Sequence, residues 1–295
     1  MRQRVNSSSN AFLLFLARRR AGQYRIDRPV RWTGQFPRIM LPAAYARTPS
    51  QLNSARFFMF TEDHADVFES IYRSRGKDWR QEAKDVSAQI LARAPGATSL
   101  LDVACGTGAH LAAFHEDFPH AEGVELAEPM LAVARKRLAG VPLHRGDMRA
   151  FRLGRAFDAV VCMFCSIGYL DNVSQMREAI RCMARHVAPG GVLVVEPWWF
   201  PEQFIDGYVA GDLSREKGRT ITRISHSVRQ GEKTRMELRY VIGEASGITE
   251  FTEIELLSLW RKDEYLAAFA DAGCPAEFLE SGPTGRGLFI GVRKR

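Results

Sequence analysis

The sequence has few cysteines, and it lacks both an apolar run of membrane-spanning length and histidines at metal-ligand spacing. Five cysteines in 295 residues do not suggest a disulfide framework, so we expect a soluble protein of the reducing cytoplasm. Cys162 and Cys165 form a C-x-x-C pair inside an apolar segment, which indicates buried thiols rather than a redox motif. We assign no metal, and no site to six of the histidines: His64, His110, His115, His120, His144 and His186.

The first 58 residues contain no lysine and almost no acidic residues. Because their basic residues are unbalanced, this segment accounts for the net charge of +7. It holds eleven of the 41 basic residues, all arginine, and one of the 34 acidic residues. Such an arm could bind nucleic acid or anionic lipid, but we favour a disordered extension or an upstream start codon, with Met59 the true start. Arginines follow the apolar run at 11–17 without a cleavage site, so no signal peptide is predicted. We expect neither a nucleic-acid partner nor a membrane.

The clearest motif is a short apolar strand at 100–103 that runs into a glycine-rich turn and a helical pattern. A dinucleotide-binding motif has a third glycine where this sequence has Leu111, and a P-loop has a Gly-Lys-Ser/Thr that is absent here. Neither kind of site is therefore predicted. Glycines allow a ligand to approach the backbone closely, and the acid before them suits a cation such as an ammonium or a sulfonium. The turn supplies the candidate residues Asp102, Ala104, Gly106 and Gly108.

Acids follow the next two predicted strands at spacings that fit an open parallel sheet. Glu125 ends the second strand, where such sheets hold a carboxylate for two ribose hydroxyls. Asp147 and Met148 follow a third strand at 141–143 and offer a carboxylate and an apolar side chain to an adenine. These acids and the glycine turn together predict a nucleoside site.

Five longer stretches complete the pattern, at residues 75–79, 162–169, 195–201, 223–227 and 282–289. With the motifs above, they resemble the class I S-adenosylmethionine-dependent methyltransferases and, within them, the N,N-dimethyltransferases of dTDP-3-amino sugars in macrolide biosynthesis. The resemblance runs from about Met59 to the C-terminus. It implies S-adenosylmethionine as cofactor, a nucleotide-sugar substrate and, by resemblance only, a homodimer. Phe68 and Cys165 stand where relatives often carry Tyr and Ser.

Periodicity predicts an α/β fold with a parallel sheet and an inserted antiparallel β-sheet. The resemblance implies that the first is a Rossmann-like class I methyltransferase sheet and that the insert forms a substrate lid. We divide the chain into a basic extension (1–58), a cofactor-binding core (59–199), an antiparallel insert (200–260), and a closing helix and strands (261–295). Helices are predicted at 62–72, 79–92, 173–187 and 262–272. Strands after the third are predicted at 157–164, 192–196, 220–228, 234–242, 249–259, 275–279 and 288–292.

In the family that this sequence resembles, the segment that leads into the core folds over the cofactor as a lid. Tyr72, Lys77 and Trp79 occupy the matching positions, and the resemblance implies that they help exclude water. Packing between helices would explain the presence of Tyr72 and Trp79 equally well.

The fourth and fifth strands deliver residues to the crevice above the sheet, where open α/β folds bind ligands. Met163 lies at the carboxyl end of the fourth strand, Ser166 and Tyr169 follow it, and Glu196 ends the fifth. The resemblance places Tyr169 beside the methyl position, as a residue that orients the amine rather than a base, because a tyrosine pKa is about 10. Glu196 could accept a hydrogen bond from the ammonium or a sugar hydroxyl, or cap the following turn.

A diphosphate acceptor requires fixed positive charge, which arginine supplies through paired donors. Arg286 lies between two glycines and matches a substrate contact of the family, and Arg223 and His226 carry the family's Arg-x-Ser-His signature. Alternatively, Arg223 and His226 are charged residues on the solvent-exposed side of a strand and bind no ligand. Trp198 offers a flat face to a thymine or a sugar.

The sequence therefore predicts an N,N-dimethyltransferase for the 3-amino group of a dTDP-linked amino sugar. Three alternatives stay open: methylation of another small acceptor such as a sugar hydroxyl, a non-catalytic cofactor-binding module and, third, an NAD dehydrogenase. A hydroxyl acceptor requires a stronger base or a metal, and neither is evident in the sequence.

Overall fold

A computed structural model describes residues 62–216 and 218–295. The predictions about the basic extension and about Met59 lie outside these residues. Within them, no helix has both the length and the apolar character needed to cross a membrane.

Helices and strands alternate through the first part of the described chain, as a parallel α/β fold requires. The helices are α1 Glu62–Ser74, α2 Trp79–Arg93, α3 Ala109–Asp117, α4 Glu128–Arg137, α5 Val173–Arg185 and α6 Lys262–Asp271. The strands are β1 Ser99–Val103, β2 His120–Glu125, β3 Leu143–Arg145, β4 Phe157–Cys162, β5 Val187–Val195, β6 Tyr208–Glu216, β7 Arg219–Gln230, β8 Lys233–Glu244, β9 Gly247–Ser258, β10 Ala276–Leu279 and β11 Leu288–Val292.

Seven strands form the first sheet in the order β10-β11-β5-β4-β1-β2-β3, in which β11 runs antiparallel to both of its neighbours. The order reverses direction between β1 and β4, and in such sheets the crevice above the carboxyl ends of these strands binds ligands. The predicted Rossmann-like sheet is confirmed. The third strand begins two residues later than predicted, and β5 already begins at Val187, so the Pro-Gly-Gly segment lies inside the strand rather than before it.

The second sheet contains β6, β7, β8 and β9 in sequential antiparallel order. The prediction of an inserted antiparallel sheet is confirmed, but it named three of the four strands. It missed β6, which is an edge strand with mostly exposed side chains and therefore lacks a clear alternation of apolar and polar residues.

Apolar side chains pack on both faces of the first sheet. Leu101 and Val103 belong to the cluster that includes α5 and α6, whereas Leu100 points to the opposite face and joins α2 and α3. A third cluster joins Val67 and Ile71 of α1 to the inner face of the second sheet. Each fully buried aliphatic side chain contributes about 1.5–3 kcal/mol.

Polar contacts fix α1 between the glycine turn and the second sheet. Glu69 of α1 accepts a hydrogen bond from the Thr107 hydroxyl at 2.6 Å and from Arg137 of α4 at 2.8 Å. The next residue, Ser70, points to a different side of the helix and donates a hydrogen bond to Glu216 of β6. Helix α1 therefore spans the crevice and connects the cofactor side of the site with the antiparallel sheet.

Candidate active site

The glycine turn after β1 has an unusual backbone. Ala104, Gly106 and Gly108 have φ values of 59°, 58° and 76°, in the left-handed region that glycine adopts without penalty. Gly108 caps the N-terminus of α3, where a Cβ would lie 2.7 Å from Leu138 Cδ1. A Cβ on Gly106 would meet no atom within 4 Å, so the backbone at this position faces open space that a ligand can occupy.

Asp102 is buried at the end of β1 with 1% of its surface exposed. Its Oδ2 atom has no hydrogen-bond partner among the described residues. Burial, and secondarily repulsion by Glu125, raises the pKa of this carboxyl well above its ordinary value. In its ionised form this carboxylate has too few partners to offset the free-energy cost of burying its charge, and a bound cation would offset that cost.

Glu125 at the end of β2 closes the other side of the turn. Its carboxylate accepts hydrogen bonds from the backbone N–H of Gly106 at 2.9 Å and of Leu126 and Ala127 at 2.8 Å. Burial raises the pKa of Glu125, and these three hydrogen bonds oppose that rise. The carboxylate is therefore fixed beside the glycine turn, as the ribose assignment requires.

Asp147 lies beyond the end of β3, at the edge of the same crevice. Arg149 donates from its backbone N–H and its Nε to Asp147 Oδ1, both at 2.9 Å, and these contacts lower the pKa of the carboxyl. Met148 is partly buried against the core beneath it. The pairing of Asp147 with Arg149 was not predicted from the sequence.

The predicted lid residues surround the ring of Phe164, which follows β4. Lys77 Nζ lies 3.7 Å from the centre of this ring and 5.5 Å from that of Trp79, and Tyr72 meets it edge-on at 4.9 Å. Lys77 also pairs with Glu82 at 2.5 Å, and His110 contacts the same Glu82 oxygen at 2.8 Å. Burial lowers the pKa of Lys77, against the opposing effect of Glu82.

The segment after β4 turns sharply at two consecutive residues, Phe164 and Cys165, which have φ values of 50° and 55°. Such conformations cost non-glycine residues about 1–3 kcal/mol each and often occur at functional sites. The turn buries Met163 and leads into a 3-10 helix, Ser166–Tyr169, in which the Ser166 hydroxyl donates to Met163 O at 2.9 Å. All three predicted residues of this segment lie at the carboxyl end of β4.

Glu196 is fully buried and links three parts of the site. One carboxylate oxygen accepts from the backbone N–H of Phe164 at 2.6 Å, and the other accepts from the Thr284 hydroxyl and, at 3.3 Å, from Arg286 Nη2. The first contact caps the turn after β4, whereas the predicted alternative was a cap for the turn that follows Glu196. Thr284 was not identified from the sequence.

Arg286 lies in an aromatic enclosure. Its guanidinium carbon is 5.6 Å from the ring centre of Phe164, 5.4 Å from Trp198 and 5.6 Å from Trp199. The Nε atom is buried and has no hydrogen-bond partner among the described residues. Trp198 is held by a 3.2 Å hydrogen bond from its indole N–H to the Thr234 hydroxyl of β8. The site therefore contains a buried cation with hydrogen-bonding capacity to spare.

Arg223 and His226 do not share a face of β7. Arg223 is 2% exposed on the inner face and donates to Asp212 at 2.9 Å and to Ser225 at 3.3 Å. His226, three residues later, lies on the outer face, exposed, because strand side chains alternate. The prediction that both residues bind substrate therefore requires correction: the structure does not bring His226 to the pocket.

The inner face of the second sheet also contributes groups that sequence reasoning missed. The Tyr169 hydroxyl hydrogen-bonds Glu255 of β9, and burial, followed by Glu255, raises the pKa of Tyr169 well above its ordinary value. Glu253 of β9 pairs with His64 of α1. His64, which was assigned no site, thus lies in a buried polar cluster behind Tyr169. Two acids at alternate positions of one predicted strand were the available signal.

The sheet order, the glycine turn and the acids at the carboxyl ends of β1 and β2 define a class I S-adenosylmethionine-dependent methyltransferase. A family model described as a methyltransferase domain matches residues 100–191. The chain is 52% identical over 235 residues to the dTDP-3-amino-3,4,6-trideoxy-alpha-D-glucopyranose N,N-dimethyltransferase of Streptomyces venezuelae, covering 79% of this chain and 99% of that one. It is 48% identical to the dTDP-4-amino-2,3,4,6-tetradeoxy-D-glucose N,N-dimethyltransferase of Saccharopolyspora spinosa, covering 80% and 94%.

Solved structures agree with these relatives. The crystal structure of Streptomyces venezuelae DesVI superposes with a TM-score of 0.77 at 51% identity, covering 80% of this chain and all of that one. CalS10 of Micromonospora echinaspora, an amino pentose methyltransferase solved with S-adenosylmethionine bound, gives 0.73 at 55% identity, covering 82% of this chain and all of that one. The chain belongs to the family of dTDP-amino-sugar N,N-dimethyltransferases.

Proposed function

We propose that the protein methylates the 3-amino group of a dTDP-linked 3-amino-deoxysugar twice, and that it serves antibiotic biosynthesis. Two buried groups with unused hydrogen-bonding atoms carry this proposal, namely the Asp102 carboxyl on one side of the crevice and the Arg286 guanidinium on the other. The first suits the cationic part of a methyl donor and the second suits a diphosphate. Membership of the amino-sugar N,N-dimethyltransferase family supports the same reaction.

The residues around the glycine turn fit S-adenosylmethionine, which supplies an electrophilic methyl group when bound. In this assignment Asp102 neutralises the amino-acid ammonium, and the open backbone from Ala104 through Gly106 to Gly108 lies against the ligand. Glu125 binds the ribose hydroxyls. Asp147 and Met148 contact the adenine, and Met163 closes the floor of the pocket.

The lid residues Tyr72, Lys77 and Trp79 exclude water from the reacting groups. Alignment of a nucleophile with the methyl group, in a site closed to water, accounts for up to about 7–11 kcal/mol of the barrier. Glu69 and Ser70 attach helix α1 to the glycine turn and to the antiparallel sheet, and these contacts support the lid.

The acceptor lies beneath the antiparallel sheet in this proposal. Tyr169 orients the amino group, Ser166 and Trp198 line the sugar and thymine subsites, and Glu196 holds Arg286 in place. Arg286 binds the diphosphate. Arg223 is a second candidate for this role, because its Nε is also buried without a partner among the described residues.

Calorimetry followed by mass spectrometry tests the proposal. The purified protein is expected to bind S-adenosylmethionine and to convert a dTDP-3-amino sugar into products 14 and 28 mass units heavier. A panel of 3-amino, 4-amino and amine-free sugars separates the proposed position from the 4-amino acceptor named for the Saccharopolyspora relative. Methylation of the amine-free sugar would support the hydroxyl alternative, and binding without any product would support a cofactor-binding module.

A matched pair of variants tests the diphosphate assignment. Arg286→Ala removes a buried charge contact and is expected to weaken nucleotide-sugar binding by about 2–5 kcal/mol. His226→Ala, from the exposed outer face, is expected to bind like the wild type. Equal weakening in both variants, or in neither, would contradict the assignment.

The proposal also includes a homodimer and a cytoplasmic location. Light scattering coupled to size-exclusion chromatography tests the first, since a single species of 33.2 kDa would contradict it. Cell fractionation tests the second.

A further inference from the structure

Strand β9 runs beside the 3-10 helix that carries Tyr169, and two contacts fix the helix against the strand. The Ser258 hydroxyl donates a hydrogen bond to Leu170 O at 2.7 Å. A Cβ on Gly168 would lie 3.3 Å from Leu257 Cδ2, so the backbone of this helix packs closely on the strand. The position of Tyr169 relative to β9 is therefore set by the residues on either side of it.

The same strand brings a buried acid to the tyrosine hydroxyl. Glu255 shares the inner face of the second sheet with Leu257, because strand side chains alternate, and it is only 6% exposed. The Tyr169 hydroxyl hydrogen-bonds this carboxyl, and Tyr169 is half-buried. A buried carboxyl is costly unless it is paired, so the contact with Tyr169 indicates what Glu255 is for.

In this hydrogen bond the tyrosine donates and the carboxylate accepts. Burial raises the pKa of both groups, and the hydrogen bond between them raises the pKa of Tyr169 further and lowers that of Glu255. This is the effect of a hydroxyl that donates to a carboxylate, because it favours the ionised acid and the protonated phenol. A tyrosine hydroxyl has one proton and two lone pairs. With its proton on Glu255, Tyr169 has its lone pairs available to another donor.

The direction of this hydrogen bond matters to an amine acceptor. The nucleophile is the neutral amine, whose one lone pair must point at the methyl carbon. A hydroxyl that aimed its proton at the nitrogen would form a hydrogen bond with that lone pair and block it. A hydroxyl whose proton is held elsewhere accepts a hydrogen bond from an N–H of the amine, and the lone pair then stays free.

We infer that Glu255 holds the Tyr169 hydroxyl proton away from the acceptor, so that Tyr169 accepts a hydrogen bond from the amino N–H and leaves the nitrogen lone pair directed at the methyl group; this inference rests on the proposed function. In each transfer the lone pair forms the N–C bond while the S–C bond breaks, and the electrons of that bond stay on sulfur. The resulting ammonium ion loses its proton to solvent when the crevice opens to exchange cofactor. Primary and secondary amines both have an N–H, so the same contact serves both transfers. Glu255 acts through Tyr169 and is a positioning residue.

Two replacements of Glu255 test this role. Glu255→Met removes the hydrogen-bond acceptor at similar length, whereas Glu255→Gln retains an acceptor oxygen. Glu253 lies close enough to accept from the amide NH₂ of the glutamine, which leaves the amide oxygen for Tyr169. Initial rates with dTDP-linked 3-amino and 3-methylamino sugars, followed by mass spectrometry, give kcat and KM for each transfer. We expect Glu255→Met to lower kcat about 10–100-fold for both sugars with KM within about threefold, because misplaced reacting groups react slowly, and Glu255→Gln to stay within about threefold of wild type.

A double-mutant cycle distinguishes positioning from a structural role. Tyr169→Phe removes the hydroxyl and is expected to lower kcat to a similar extent as Glu255→Met. In the Tyr169→Phe background, Glu255→Met is expected to lower kcat by no more than about a further twofold, because Glu255 has lost the group through which it acts. Glu250→Met makes the same replacement at an exposed acid of β9 and is expected to leave kcat and KM unchanged.

The possible results separate this inference from the proposed function. A wild-type enzyme that leaves every dTDP-amino sugar unmethylated would contradict the function itself. If the wild type is active, an unchanged kcat in Glu255→Met would overturn the inference, and so would losses that multiply in the double variant, because those indicate a structural role. A kcat loss of about 100-fold in Glu255→Gln would overturn it even if Glu255→Met does not fold, because glutamine accepts the same hydrogen bond. Loss of activity on chelation, with restoration by a divalent cation, would overturn it in favour of a metal held by Glu255, Glu253 and His64.

Discussion

Replacement of Asp102 by asparagine is expected to stabilise the ligand-free protein and to weaken the binding of S-adenosylmethionine. The carboxyl is buried and its Oδ2 atom has no partner among the described residues, so its ionised form is poorly compensated. An unsatisfied buried polar group costs about 1–3 kcal/mol, and more when it is charged. For domains of 150–250 residues, each kcal/mol corresponds to about 2–4 °C in Tm, so the variant is expected to gain about 2–12 °C.

The pH dependence of this gain has a definite sign. Burial raises the pKa of Asp102 above its ordinary value of 3.8, so the folded protein holds a proton that the unfolded chain has already lost. The stability that Asp102 contributes is therefore present below pH 3.8 and falls as the pH rises through the folded-state pKa. The difference in Tm between Asp102→Asn and wild type should widen over the same window, as measured by scanning calorimetry.

Binding should change in the opposite direction. A hydrogen bond to a charged group contributes about 1.5–3 kcal/mol, so titration calorimetry should show affinity for S-adenosylmethionine weakened about 10–150-fold. Saturating ligand would then raise the Tm of the wild type more than that of the variant.

Asp158→Asn is the matched control, because Asp158 makes the contacts that Asp102 lacks. Its Oδ2 atom accepts from the backbone N–H groups of Thr98 and Ser99, both at 2.9 Å. Burial raises the pKa of Asp158, but these hydrogen bonds outweigh it and lower the pKa overall. The control should therefore lose stability at neutral pH. A fall in Tm for both variants, or unchanged ligand affinity in Asp102→Asn, would refute the reasoning.

Two further predictions concern backbone conformation and thiol chemistry. Gly108→Ala introduces a Cβ 2.7 Å from Leu138 Cδ1 at a φ of 76°, and it should lower the Tm and weaken binding of S-adenosylmethionine. Gly106→Ala also places a side chain at a positive φ, of 58°, but its Cβ would meet no atom within 4 Å, so it should lower the Tm less than Gly108→Ala while still weakening binding. Burial raises the pKa of Cys165 to about 12, so only about one thiol in ten thousand is ionised at pH 8. Cys165 and Cys162 should therefore resist iodoacetamide until the protein is denatured, as peptide mass spectrometry can show; rapid labelling of the folded protein would contradict their burial.

The cofactor half of the site was predictable because its groups follow one another along the chain. A strand, a glycine turn and a helix N-terminus are built from consecutive residues, so the positions of Asp102, Gly106 and Gly108 follow from local pattern. Glu125 was predictable for a related reason, since parallel strands joined by helices bring their carboxyl ends to one edge of the sheet. The structure places these residues together as the spacing indicated.

The acceptor half was less predictable because it depends on which face of each antiparallel strand is buried. A shift of one residue exchanges the two faces of a strand. In β9 the apolar residues Ile254 and Leu256 would favour one face, yet the structure buries Glu253 and Glu255 and leaves Leu256 39% exposed. The same alternation separates Arg223 from His226, which the sequence motif had grouped together.

The sequence by itself determined the parallel sheet, the glycine turn and the family, because these features arise from neighbouring residues and recurrent spacing. Only the tertiary structure decided that Glu255 meets Tyr169, that His64 meets Glu253, and that Arg286 lies among Phe164, Trp198 and Trp199. These contacts join α1, the antiparallel sheet and the loops after β4, β5 and β10, which are distant from one another in the chain. The contact of His64 with Glu253 forms because α1 packs its apolar face on that sheet, whereas the contacts of Arg286 form because separate loops meet at the carboxyl edge of the first sheet.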